Sequence, residues 1–95
     1  MQAVLAAIAE PHRTQLLRLL EHRHRSQRGL ARELGLSQPL TSHHLRVLQA
    51  AGLVDTTICG RFKVYRLNPV TLQVISRRLQ TMSERAAALA EIKPC

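Results

Sequence analysis

Apolar residues recur at three- and four-residue intervals along most of the chain, and the intervals break at glycine, proline and short polar stretches. Gln2 to Glu10 places Val4, Leu5 and Ile8 at helical spacing. Pro11 interrupts this segment and suits the first turn of a second helix, about Pro11 to Arg23, with Leu16, Leu17, Leu19 and Leu20 inward and Arg13, Arg18 and Glu21 outward. After the polar run His22 to Gln27, a short helix reaches Leu34, and Gly35 stands where a left-handed cap is usually needed. Ser37 caps the next helix, Pro39 fits its first turn, and Gly52 closes it after Ala51.

The periodicity then changes. Leu53 to Cys59 and Phe62 to Leu67 read as strands, joined by Gly60-Arg61, a Gly-X pair suited to a tight hairpin. Asn68-Pro69 starts a long helix running to about Ile92. Its apolar positions Leu72, Ile75, Leu79, Met82, Ala86 and Leu89 alternate by three and four, which is a heptad seam. Two short helices joined by a glycine turn and followed by a hairpin predict a winged helix-turn-helix. The expected fold is mainly α with a β-hairpin wing, in one domain spanning 1–95.

Composition sharpens this picture in two ways. With one Phe, one Tyr and no Trp in 95 residues, the core must be aliphatic and small, so burial against a second copy is expected. The net charge of +8 comes from 12 arginines and 2 lysines spread along the chain. A dispersed, arginine-based charge predicts a folded basic surface suited to phosphate and guanine edges, with nucleic acid ahead of an anionic membrane as partner. No apolar run approaches the roughly 18 residues of a membrane span. No secretory leader is visible either, so a cytoplasmic protein with reduced thiols is expected.

The stretch SQPLTSHHL, 37 to 45, carries the functional signal. At about 100° per residue, Thr41, Leu45 and Leu48 share one helix face with His44 beside them. Pro39, Ser42, His43 and Arg46 point the opposite way, with Gln38 at the N-terminal end. Polar groups presented outward at the start of a helix are how a recognition helix meets base edges, and the helix dipole there favours phosphate. Adjacent histidines diverge by about a quarter turn, so His43 and His44 cannot aim at one ion. His44 is read as packed and hydrogen-bonded, and His43 as a DNA-facing donor ahead of an ordinary surface residue.

LARELGLSQPLTSHHLRVLQAAGLV (30 to 54), GRFKVYRL (60 to 67) and LAAIAEPHRTQLLRLL (5 to 20), with its Ala-x-Pro-x-Arg pattern, resemble the DNA-binding core of ArsR/SmtB-type repressors. The resemblance covers nearly the whole chain. It implies a homodimer joined through the first and last helices, about 2–10 and 69–92, that binds an inverted-repeat operator on double-stranded DNA and blocks transcription. The expected DNA-binding residues are Gln38, Ser42, His43 and Arg46 on the helix, with Arg61 and Lys63 on the wing. The expected dimer residues are Val4, Leu5, Ile8, Leu72, Ile75, Leu79, Met82 and Leu89. Thr41 stands where the family usually has Val, which should loosen a core contact.

The sensing sites of such repressors do not carry over. At the family's Cys-x-Cys this chain has Ser26 and Arg28, and its last helix has Glu84 and Glu91 but neither Asp nor His. His12, His22 and His24 are read as surface residues, Cys59 as a half-buried strand residue and Cys95 as a frayed end. A thiol sensor joining Cys59 and Cys95 is the remaining candidate, so no cofactor is evident and a metal or metalloid effector stays open. No phosphate-cradling loop, paired carboxylates or activated nucleophile points to an enzyme. Two competing readings stand beside the repressor: a winged-helix module docking protein or RNA, and a non-specific architectural DNA binder.

Overall fold

A computed structural model describes residues 1–94. Helix α1 is Gln2–Ile8 and α2 is Pro11–Leu20. A two-residue strand β1, Arg25–Ser26, leads into α3, Gln27–Leu34, and α4, Gln38–Ala50. Strands β2, Val54–Cys59, and β3, Phe62–Leu67, form the wing, and α5 is Pro69–Leu89. The helical order and the wing are those expected from the sequence, with β1 in addition.

The boundaries follow from caps. Glu10 takes an extended backbone (φ −89°, ψ 131°), and its carboxylate accepts from the Arg13 amide, so α1 ends before Glu10 and α2 begins after it. The Ser26 hydroxyl accepts from the Gly29 amide at 3.1 Å, and that of Ser37 from Leu40 at 3.2 Å. Asn68 Oδ1 accepts from the amides of Val70 and Thr71. Each such cap stabilises its helix by about 0.5–2 kcal/mol relative to alanine. Between α3 and α4, Gly35 adopts φ +66°, which lets Leu36 N–H reach the Ala31 carbonyl at 3.0 Å and turns the chain into the second helix of the pair.

The sheet runs β1-β3-β2, all antiparallel. Arg25 pairs with Tyr65 and Ser26 with Val64, so β1 occupies the open edge of β3. At the other end Cys59 pairs with Phe62, leaving Gly60-Arg61 as the turn, with the positive φ on Gly60 alone. Val54 and Tyr65 face the core, whereas Ile58 and Phe62 are exposed because the hairpin outruns it.

Leu16, Leu30, Leu45, Leu48 and Leu53 are fully buried and join Val4, Ala7, Leu20, Val54, Tyr65 and Ile75 in one cluster. Burying each leucine contributes about 1.5–3 kcal/mol, so α2, α3, α4 and the base of the wing are held chiefly by this aliphatic contact. Thr41 lies within α4's inner face, and its hydroxyl donates to the Ser37 carbonyl at 2.8 Å. The hydroxyl that stands where the family usually has a valine methyl is therefore satisfied, and the side chain is fully buried.

Helix α5 is different. Only Ile75 is buried, Leu72 is half-buried, and the rest of the apolar seam leaves the body of the protomer. The described chain accordingly measures 59 Å along its long axis against 23 and 21 Å across.

Candidate nucleic-acid interface

The outer face of α4 begins at Gln38 and continues through His43 and Arg46, all exposed, with Ser42 half-buried between them. Across from its N-terminus stands the wing. A groove of about 460 Å³ separates the two, lined by Ser26, Gln27, Arg28, Gln38, Arg61, Phe62 and Lys63. Three of the six expected contact residues, Gln38, Arg61 and Lys63, therefore share one groove, while Ser42, His43 and Arg46 extend the polar face along α4. Arg28, Arg61 and Lys63 give the lining three positive charges and no acid. Lys63 lies 5.8 Å above the Tyr65 ring, an aromatic contact that holds its stem on the sheet. Gln27 and Arg28 were not among the expected contacts. Their signal was their place in the first turn of α3, directly after a Ser cap.

Behind the recognition helix the Ala-x-Pro-x-Arg segment forms a joint. Arg13 Nε donates to the Ala7 carbonyl at 2.6 Å, and its Nη1 lies 3.2 Å from Nδ1 of His44. The Thr14 hydroxyl donates to the Ile8 carbonyl at 2.8 Å. One guanidinium thus ties the end of α1 to the inner side of α4. Because arginine only donates, His44 Nδ1 is the acceptor and its proton sits on Nε2. Burial pushes the His44 pKa down, the charges of Arg13, His43 and His12 act in the same direction, and Glu10 opposes them. The neutral ring is the form this pocket favours. For Glu10, burial raises the carboxyl, but the amides of Arg13 and His12 and the charges of His44 and His12 outweigh it and leave it below the ordinary carboxylate value.

His12 departs from expectation: it lies half-buried against Glu10, Nδ1 to carboxylate 3.1 Å, with its ring 5.4 Å from that of His44. Ligand atoms of Glu10, His12 and His44 lie within 4.8 Å of one another, which is metal-like spacing. The chemistry of the set argues for a structural joint instead, since Arg13 occupies the His44 lone pair and Glu10 caps α2. His43 and His44 diverge as the helical wheel requires, one exposed and one buried.

The expected dimer residues separate into three groups. Val4 and Ile75 are buried in the protomer's own core cluster, where α5 docks through its first turns. Ile8 and Leu72 pack half-buried against that core. Leu5, Leu79, Met82 and Leu89 are exposed, as are Val70 and Val74, which the seam did not include. Cys59 is exposed at the wing tip rather than half-buried, since none of the described residues covers its strand face there. Cys95 lies outside the described residues, and so does any pairing with Cys59.

Residues 10–56 match the family described as bacterial regulatory protein, arsR family. Transcriptional repressor SdpR of Bacillus subtilis strain 168 is 34% identical over 77% of this chain and 81% of its own. The chain belongs to the ArsR family. Among solved structures, a possible transcriptional regulator for arsenical resistance is 32% identical, with a TM-score of 0.75 over 98% of both chains. An ArsR-like transcriptional regulator from Rhodococcus sp. RHA1 is 28% identical, with a TM-score of 0.83 over 99% of this chain and 93% of that one. ArsR-family membership makes the chain a DNA-binding transcriptional regulator. No helix among the described residues is long and apolar enough to cross a membrane.

Proposed function

We propose that this ArsR-family chain is a cytoplasmic homodimeric repressor that binds an inverted repeat in double-stranded DNA. The observation that carries the reading is the acid-free groove joining Gln38, at the start of α4, to Arg28, Arg61 and Lys63. In this arrangement α4 enters the major groove, where Gln38, Ser42, His43 and Arg46 reach base edges. The wing and the first turn of α3 flank a sugar-phosphate strand, which supplies affinity without sequence information. A protein-docking module would present an apolar face on α4, and this face, apart from exposed Pro39 and Leu40 in the first turn, is polar. Exposed Leu5, Leu79, Met82 and Leu89 support a second copy against α1 and α5.

The test compares binding of an inverted repeat found upstream of the gene with that of a scrambled duplex, at one stated salt concentration. A repressor of this type binds the repeat at least about a thousandfold more tightly. Equal affinity would make the chain an architectural binder.

A further inference from the structure

We propose that Gln27, the first residue of α3, sets which hydrogen-bonding edge Gln38 offers to a base and thereby tunes the base preference of the recognition helix; the inference rests on the DNA reading above. Gln27 Nε2 lies 3.3 Å from the main-chain carbonyl oxygen of Gln38 and 3.1 Å from its Oε1. The main-chain carbonyl decides the orientation of the Gln27 amide, because an oxygen turned toward it would set lone pair against lone pair. With the NH2 end fixed there, its other hydrogen points at Gln38 Oε1. Gln38 is therefore held with its oxygen turned back toward α3, and its own NH2 is left for the DNA side of the groove.

That orientation selects among bases. A free glutamine satisfies adenine with one acceptor and one donor, against N6 and N7. A glutamine whose oxygen is engaged keeps its donors but weakens the acceptor half of that pair. The edge that suits it carries acceptors only, and guanine, with O6 and N7, offers two. Gln27 is half-buried and Gln38 exposed, so the residue that reads is the more reachable of the two. Gln27 is thus a positioning residue that acts through Gln38.

The experiment selects sites from a pool of randomised duplexes with the parent, Gln38→Ala, Gln27→Met and Gln27→Glu. Gln38→Ala identifies the base position that Gln38 reads. At that position the parent should prefer guanine to adenine. Gln27→Met, of similar length but without a donor, should reduce that preference about tenfold, within the range of one bidentate contact. Gln27→Glu removes both donors and sets a carboxylate beside Gln38 Oε1, which should drive that oxygen away from α3, so the preference should move toward adenine or cytosine, whose amino groups donate. Preferences elsewhere in the site should stay as in the parent. A parent that prefers adenine there, a Gln38→Ala variant that changes no position, or Gln27 variants with the parent's preferences would each overturn the inference while leaving sequence-specific binding intact. A parent that enriches no sequence overturns the DNA reading itself, and the inference with it.

Discussion

Two residues of α4, one on each face, make separable predictions. Arg46 is exposed on the outer face, and its fork suits guanine O6 and N7. Arg46→Ala should cost about 1–3 kcal/mol on the preferred site and much less on scrambled DNA, as read by titration of both duplexes. On the inner face, His44 has a lower pKa folded than unfolded, where its ordinary value is 6.5. Its contribution to stability is therefore complete above that value and is lost as pH falls toward the folded value. Glu10, also lowered, acts in the same direction below 4.5. Thermal unfolding should show the parent losing more stability between about pH 7.5 and 5.5 than His44→Gln does, and equal losses would contradict the neutral, Arg13-bonded ring. The helical wheel foretold the burial of His44. Its partner could not be foreseen, because Arg13 lies 31 positions away and meets it only through the packing of α2 on α4.

The elements were legible wherever a local signal marks their ends. Ser37, Gly35 and Asn68 act as the caps their types suggest, and Gly60 takes the positive φ of the hairpin turn. Strand β1 was not legible, since Arg25 and Ser26 have no alternating pattern and become a strand only because β3 offers them an open edge. The groove was half legible for the same reason. The wing residues declare themselves by charge, but only the turn of α3 against α4 brings Gln27 and Arg28 beside them. At this scale the wing makes a distinct prediction. Arg61→Ala should weaken preferred and scrambled DNA by similar factors and reduce the salt slope by about 0.9 for each phosphate that the side chain neutralises in the parent. An unchanged slope would take the wing off the phosphate strand.

In the whole molecule, α5 projects with Leu79 49% and Met82 46% exposed, while Ile75 near its start is 8% exposed. The heptad spacing identified the apolar seam. It could not divide that seam between the protomer's own core and a partner, because periodicity records a face and not what covers it. The division makes the interface testable without unfolding the protomer. Leu79→Glu should leave the helical circular dichroism near that of the parent, yet give a monomer that no longer holds the inverted repeat, because a charge in the seam has no buried partner. On the proposed reading two recognition helices enter successive major grooves roughly 34 Å apart, a spacing that a dimer would fix. The most direct measurement is the mass of the parent protein on its inverted repeat, by sedimentation at micromolar concentration. Two chains per duplex is the predicted result; one chain bound tightly to the repeat would contradict the account.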